Sequence, residues 1–208
     1  MGGPAALDGG RPGPRMSGTA PGALDVLQRD RAVLVVVDLQ EKLLPAIAEK
    51  ERVLGRGLLL LRAARELEMP VVLTTQYERG LGPTVAEVRA EAPGVTPVDK
   101  VAFGCFGSED FLTRLSCFPG RDQLLVAGIE SHICVAQTVL GALAKGYHVH
   151  VAADAVGSRH AENREIGLRR MERAGAVLSS TEMAVYELLV RSDGAAFKRL
   201  LPYLKADR

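Results

Sequence analysis

Tryptophan is absent from this chain of 208 residues, and only 4% of its residues are aromatic. The scarcity of aromatic side chains argues against a platform for stacking nucleic-acid bases. The formal net charge is +1, so the totals show no electrostatic footprint for nucleic acid or for an anionic membrane. The longest apolar runs, Val33–Val37 and Leu58–Leu61, are far too short to span a bilayer. We therefore expect no nucleic-acid partner and no membrane partner.

Paired cysteines are also lacking. The three cysteines, Cys105, Cys117 and Cys134, form an odd set without a CxxC pair. This count argues against a disulfide framework and a structural zinc site, and it favours reduced thiols. The N-terminus lacks the apolar segment of a signal peptide. We expect a cytoplasmic protein with no metal and no cofactor.

The beginning of the chain differs in composition from the rest. Residues 1–24 are rich in Gly, Pro and Ala and show no periodicity, which predicts a disordered arm. Met16 begins a segment that would itself make a natural start, and an intact mass would distinguish it from Met1. Residues 25–208 are long enough to bury a sizeable core, and we expect them to form a single domain.

Strand and helix patterns alternate along this domain. Arg31–Asp38 is an unbroken apolar run that ends in a carboxylate, which is typical of a strand buried on both faces. Apolar residues at helical spacing predict a helix over Glu49–Glu68, and short strands follow at Val71–Thr75 and Val98–Lys100. The alternation predicts an α/β fold: a doubly wound, mostly parallel sheet with helices on both faces.

The second half continues the alternation. A strand over Leu124–Ala127 meets a break at Gly128, then a polar turn and a helix that begins near Cys134. Further predicted elements are a strand at Tyr147–Ala153 that ends in a turn at Asp154, a helix at Glu162–Ala174, a capping box at Ser179–Glu182 that opens a helix through Val190, and a last turn or two over Ala195–Leu201.

Three polar side chains stand at predicted carboxyl ends of these elements. Asp38 and Lys100 end strands, and Cys134 stands where a helix begins, so all three project toward one rim of the sheet. Unpaired N–H groups at a helix start favour a nucleophilic thiolate. Each residue also has a purely structural interpretation: Asp38 as a turn former, Lys100 as a surface lysine and Cys134 as a packed core residue.

The chain resembles the isochorismatase-like cysteine hydrolases over nearly its whole length, from about Arg31 to Leu189. The resemblance rests on six segments: Val35–Gln40 (VVVDLQ), Pro70–Tyr77 (PVVLTTQY), Gly80–Thr84 (GLGPT), Thr96–Lys100 (TPVDK), Gly128–Thr138 (GIESHICVAQT) and Val149–Arg159 (VHVAADAVGSR). Among the family, the uncharacterised isochorismatase-domain-containing proteins are most similar. The resemblance implies a Rossmann-like, three-layer fold.

The resemblance also implies a catalytic triad of Asp38, Lys100 and Cys134. It implies a cis peptide bond between Ile129 and Glu130 and an oxyanion hole made by the backbone N–H groups of Glu130 and Cys134. With these parts, Cys134 would attack a small amide or carbamoyl compound, and water would hydrolyse the resulting thioester. The expected function is therefore cleavage of a small C–N substrate by a cysteine hydrolase of the amidohydrolase class.

Two differences from other family members narrow the range of expected reactions. Nicotinamidases of this family hold a metal with an Asp-x-His motif after the second strand, but Gln76–Thr84 contains no Asp and no His. True isochorismatases do not need a cysteine nucleophile, whereas Cys134 is present. Gln40, Gln76 and Tyr77 are candidates for orienting a polar substrate, with hydrogen bonding within the loops as the alternative.

Other interpretations of the site and of the function stay open. His132 is a second candidate base for Cys134, and His148 with His150 could bind a metal on one face of a strand. The competing functions are a non-catalytic interaction module with this fold and a thiol redox sensor at Cys134. We expect a homo-oligomer, with apolar helix faces near Leu140 or Met183 as candidate interfaces.

Overall fold

The computed structural model describes residues 25–206, so the predicted arm at residues 1–24 lies outside the described residues, and the single-domain boundaries stay a prediction. Six strands form one sheet in the order β3-β2-β1-β4-β5-β6, and every pair is parallel. The strands are β1 (Ala32–Val37), β2 (Val71–Gln76), β3 (Val98–Lys100), β4 (Gln123–Ile129), β5 (His148–Gly157) and β6 (Val177–Ser179).

Eight α-helices accompany the strands within the described residues. They are α1 (Lys50–Glu66), α2 (Glu78–Leu81), α3 (Ala86–Glu91), α4 (Glu109–Ser116), α5 (Ala136–Ala144), α6 (Ala161–Arg173), α7 (Thr181–Leu189) and α8 (Ala195–Ala206). Short 3₁₀ turns lie at Leu44–Ala46 and Cys105–Gly107, and a π-helical turn spans Ser131–Val135. None of the helices in residues 25–206 is long and apolar enough to cross a membrane.

Strand β1 is apolar throughout because both of its faces are covered. Leu34 and Val36 pack into a core with side chains of α1, α7 and α8, whereas Val33, Val35 and Val37 pack with side chains of α4, α5 and α6. All six residues of β1 are buried. The predicted three-layer, doubly wound α/β fold is thus confirmed.

The chain order reverses at β1, because β2 and β3 lie on one side of it and β4 to β6 on the other. Val37 and Gly128 are register partners across the β1–β4 pair at this point. Gly128 has φ +115°, and a Cβ there would lie 2.0 Å from the Val37 carbonyl oxygen. Only glycine permits this close approach. The break predicted at Gly128 is wrong, since β4 continues to Ile129.

Strand β5 is longer than the sequence predicted. Its pairing with β4 shifts register between Val126 and Gly128, and the strand continues to Gly157 instead of ending before Asp154. Asp154 is therefore not a turn former. Its carboxylate Oδ1 accepts hydrogen bonds from Thr181 N at 2.7 Å and Thr181 Oγ1 at 3.0 Å at the start of α7.

The helix ends follow local side-chain chemistry. Ser108 caps α4 by accepting a hydrogen bond from Phe111 N. In α7, however, Ser180 is the N-cap and accepts from Met183 N at 3.1 Å, so the predicted capping box from Ser179 to Glu182 is out of register by one residue. Helix α8 extends to Ala206, beyond the predicted Leu201, because Leu200 and Leu204 are buried in the core.

Candidate active site

The three polar residues singled out from strand ends meet at the point where the strand order reverses. Asp38 follows β1 directly, Lys100 is the last residue of β3, and Cys134 lies in the π-helical turn after β4. In open parallel sheets, ligands bind in the crevice outside the carboxyl ends of the strands at this switch point. All three residues are buried.

Asp38 and Lys100 form a fully buried ion pair. Lys100 Nζ donates a hydrogen bond to Asp38 Oδ2 at 2.8 Å, and both side chains are inaccessible to solvent. The other carboxylate oxygen, Oδ1, accepts from Thr74 Oγ1 at 2.7 Å. Lys100 Nζ donates a further hydrogen bond to Gln76 Oε1 at 2.8 Å. These contacts offset the desolvation of two buried charges, which would be costly without partners.

Cys134 is held in the turn by hydrogen bonds of its neighbours. The N–H groups of Ile133 and Val135 both donate to the Glu130 carbonyl, at 3.0 and 3.2 Å. Thr138 Oγ1 donates to the Cys134 carbonyl at 2.7 Å. The peptide bond between Ile129 and Glu130 is cis, at the position that the resemblance gives for it. Hydrogen bonds therefore hold the backbone on both sides of Cys134.

The surroundings of the Cys134 thiol favour its protonated form. Burial, followed by the negative charge of Asp38, raises the pKa of the thiol to about 12, although the Lys100 ammonium acts in the opposite direction. A hydrogen bond with the Asp38 carboxylate raises the pKa further. A helix start favours the thiolate, whereas burial and the adjacent Asp38 carboxylate shift the pKa of Cys134 in the opposite direction.

A cavity of about 370 Å³ borders the thiol. Its volume lies within the range of small-molecule sites, which runs from about 300 to 1,000 Å³. Cys134, Gln76 and the backbone-fixing residue Glu130 line it together with several apolar side chains. A small ligand in this cavity would reach the sulfur directly.

Comparison with known proteins identifies the family. The isochorismatase domain matches residues 32–183. This chain belongs to the isochorismatase family. It is 36% identical over 179 residues to isochorismatase domain-containing protein 2A of Mus musculus, an alignment that covers 85% of this chain and 84% of the mouse protein.

Solved structures of family members have the same fold. The MAR1 ribonuclease of Caenorhabditis elegans is 32% identical, covers 87% of this chain and 93% of its own, and has a TM-score of 0.81. YcaC of Pseudomonas aeruginosa, solved with hexane-2,5-diol and covalent acrylamide, is 28% identical, with coverage of 89% and 96% and a TM-score of 0.82. YcaC of Escherichia coli, an octameric hydrolase of unknown specificity, is 29% identical, with coverage of 88% and 92% and a TM-score of 0.82.

The three residues suggested as substrate contacts occupy different places in this family member. Gln76 lines the cavity and joins Lys100 Nζ to the Val101 carbonyl. Gln40 instead donates to the carbonyls of Gln76 and Gly82 and accepts from Gln76 N, so its amide is occupied by loop hydrogen bonds. Tyr77 is 49% exposed and packs beside Gly80. Loop hydrogen bonding therefore describes Gln40 better than substrate contact.

His132 contacts a serine, and the other two candidate histidines lie near the amino end of the sheet. His132 Nδ1 is 3.0 Å from Ser158 Oγ. His148 Nδ1 is 2.9 Å from Asp25 Oδ2 at the amino end of the sheet, and His150 is buried there. Residues 25–206 contain no group of three or more His, Cys, Asp or Glu side chains that could hold a metal ion.

Four residues of the site were missed from the sequence. Thr74 contacts Asp38, and Thr138 links the Cys134 carbonyl to the Cys105 N–H, which donates to Thr138 Oγ1 at 3.0 Å. Cys105 itself is buried, and burial raises the pKa of its thiol to about 11. Arg159 N and Nε donate to the Glu130 carboxylate, at 2.9 Å and 3.1 Å. The available signal was weak: polar residues at the ends of apolar strands or at a helix i, i+4 position.

Proposed function

We propose that this family member is a cysteine hydrolase that cleaves the C–N bond of a small amide or carbamoyl compound. The observation that carries the proposal is the meeting of a thiol, a carboxylate and an ammonium beside one cavity. Asp38 is ion-paired with Lys100 at 2.8 Å, and its negative charge raises the pKa of the nearby Cys134 thiol. This set supplies a nucleophile, a proton acceptor and a fixed positive charge.

In the proposed reaction, Asp38 accepts the thiol proton as the sulfur of Cys134 attacks the carbonyl carbon. The oxyanion is stabilised by the backbone N–H groups of Glu130 and Cys134, as the resemblance implies. Asp38 then gives the proton to the departing nitrogen, and ammonia or an amine leaves a thioester behind. Asp38 next deprotonates a water molecule that attacks the thioester, and it returns this proton to the departing sulfur of Cys134, so one water is consumed for each C–N bond broken.

Lys100 has a supporting part in this reaction. Its ammonium lies against Asp38 and Gln76 and contacts no solvent. A buried positive charge favours the ionised forms of nearby acids, so it keeps Asp38 ready to accept a proton and stabilises the thiolate as it forms. YcaC of P. aeruginosa, which has a similar structure, has been solved with covalent acrylamide, a reagent that bonds to nucleophiles through its vinyl carbon.

The two alternative functions are less well supported. A cavity of about 370 Å³ beside the thiol favours an enzyme over an interaction module. Redox-sensing cysteines are accessible thiolates, whereas Cys134 is only 7% exposed and has a raised pKa. The C. elegans relative is named a ribonuclease, so cleavage of RNA is included as a competing outcome of the test.

The test is a screen of small primary amides and carbamoyl compounds for ammonia release, run beside an RNA cleavage assay. We expect turnover of at least one amide by the native protein, and none by Cys134→Ala. The matched control is Cys117→Ser, because Cys117 is exposed. Turnover that persists in Cys134→Ala, or RNA cleavage without amide hydrolysis, would contradict the proposal.

We also propose a cytoplasmic homo-oligomer. The three cysteines are unpaired, which fits a reducing compartment. The E. coli relative is an octamer, and in this chain Met183 and Tyr186 leave 54% and 44% of their surface exposed on α7. Light scattering on the purified protein is expected to give a mass of several chains, and Met183→Asp is expected to reduce it. A native protein that elutes as one chain would contradict the oligomer.

A further inference from the structure

The wall of the cavity at Cys134 is largely apolar. It is formed by side chains from the loop after β1, from α2, from the loop after β3 and from the end of β4 with the turn that follows, namely Leu43, Ile47, Leu81, Phe103, Ile129 and Ile133. Such a wall suits a ligand body of a few carbon atoms, because apolar surface is favourably removed from water there.

Among the described residues, three charged side chains line this cavity: Lys42, Glu130 and Arg159. Two of these charges neutralise each other, because Arg159 Nε lies 3.1 Å from Glu130 Oε1. The Arg159 backbone N–H also donates a hydrogen bond to the Glu130 carboxylate. Lys42 differs. Its ammonium donates to the Gly80 carbonyl at 2.9 Å, and within residues 25–206 no carboxylate lies within ion-pair distance of it. The cavity therefore carries one uncompensated positive charge.

We propose that Lys42 selects substrates that carry an anionic group, such as a carboxylate, at the end remote from the scissile C–N bond. This inference rests on the proposed function and narrows its substrate class to half-amides or ureido acids with a short apolar middle. An ammonium with one hydrogen bond to Gly80 keeps two N–H donors for a carboxylate. The contact with Gly80 holds the ammonium against the loop beside the cavity, where the Lys42 side chain is exposed to solvent and to an entering ligand.

The first experiment measures charge preference at the thiol without requiring turnover. The full-length protein is alkylated with 3-maleimidopropionate and with its neutral counterpart N-propylmaleimide, and then with the longer pair 6-maleimidohexanoate and N-hexylmaleimide. Peptide mass spectrometry gives the rate at Cys134, and the exposed Cys117 in the same molecule corrects for intrinsic reagent reactivity.

We expect the corrected rate at Cys134 to favour the anionic reagent of at least one pair by about twofold to fivefold, the range of an exposed ion pair. Lys42→Met should abolish the preference, Lys42→Arg should keep it, and added salt should weaken it. The matched control is Lys145→Met, because Lys145 is an exposed lysine outside the cavity lining.

The outcomes separate this inference from the proposed function. Equal corrected rates for both pairs, or a preference that survives Lys42→Met, overturn the role of Lys42 while leaving the nucleophile intact. A Cys134 that reacts with no reagent in the folded protein overturns the nucleophile itself, and the substrate class with it. In the hydrolysis assay, succinamate or glutaramate should be turned over more efficiently than butyramide or valeramide, and Lys42→Met should remove that difference mainly through KM.

Discussion

Two groups of buried polar side chains, one at each end of the sheet, differ in their hydrogen bonding. At the carboxyl end, Asp38 and Lys100 share short hydrogen bonds with Thr74 and Gln76 around the thiol. At the amino end, the ring nitrogens of the buried His150 have no hydrogen-bond partner within residues 25–206. Burial of polar side chains alone therefore does not make a functional site. The carboxyl end combines satisfied charges with a cavity, so changes there should affect chemistry as well as stability, whereas changes at the amino end should affect stability alone.

The largest effect is expected from Asp38→Asn. The amide cannot accept the thiol proton, so kcat should fall by about 10² to 10⁴. The buried Lys100 loses its counter-charge, which should cost about 3–5 kcal/mol in the free energy of unfolding. Amide turnover and urea denaturation measure both effects. Asp99→Asn is the matched control, since Asp99 is an exposed residue of β3. Near-native kcat in Asp38→Asn would remove Asp38 from the reaction.

A smaller effect is expected from Thr138→Val, because Thr138 is a positioning residue that acts through Cys134. Its hydroxyl joins the Cys105 N–H to the Cys134 carbonyl. Losing it leaves a buried donor unpaired, at about 1–3 kcal/mol in stability. We expect kcat to fall about tenfold with little change in KM, and Thr138→Ser to restore it. If Thr138→Val lost stability and kept its kcat, the role of Thr138 would be structural only.

At the amino end, Gln123→Leu should lower stability without changing chemistry. Gln123 is buried, its Oε1 accepts from Gln28 N at 2.8 Å, and its Nε2 donates to Asp25 and the Val26 carbonyl. We expect a loss of about 1–3 kcal/mol in the free energy of unfolding and an unchanged kcat/KM. Gln28→Leu is the matched control, because the Gln28 side chain is exposed. A loss of kcat/KM in Gln123→Leu would break the distinction between the two ends.

The smallest effect is a pH dependence of stability at His150. Burial lowers the pKa of His150, against the charges of Glu187 and Asp25 and together with those of His148 and Arg31. The unfolded chain binds this proton near pH 6.5, whereas the folded chain binds it only at lower pH. Stability should therefore fall as the pH drops below about 6.5, by at most about 1.4 kcal/mol per pH unit from this group, until the folded pKa is reached.

Urea denaturation of the native protein and of His150→Leu between pH 7 and pH 5 measures this slope. The slope should be shallower in His150→Leu, and His160→Asn should leave it unchanged because His160 is exposed. Identical slopes in the native protein and His150→Leu would show that other groups carry the acid sensitivity.

Local patterns were sufficient to predict the alternating elements and the meeting of Asp38, Lys100 and Cys134. Each of these residues follows or ends an apolar segment, and parallel strands bring such ends to one edge. The family membership predicted from sequence segments was confirmed by the isochorismatase domain at residues 32–183. The full length of β5 was not predictable, because it depends on a register shift against β4.

The finer chemistry of the site depended on contacts between distant parts of the chain. Thr74 of β2 donates to Asp38, which follows the neighbouring strand β1. Thr138 of α5 accepts from the Cys105 N–H in a 3₁₀ turn. The direction of the Cys134 pKa shift also follows from burial and from Asp38, which lies 96 residues earlier in the chain. A sequence pattern shows how residues are spaced along the chain, whereas these effects depend on three-dimensional distance and on exclusion of water.

The most direct test of the central claim is the pH dependence of Cys134 alkylation in the native protein and in Asp38→Asn. Burial and the neighbouring Asp38 carboxylate favour a protonated resting thiol at Cys134. The native rate should therefore keep rising through pH 8.5, the usual pKa of a free cysteine, and Asp38→Asn should shift the rise to lower pH. A native rate that levels off well below pH 8.5, or a profile unchanged by Asp38→Asn, would contradict the account.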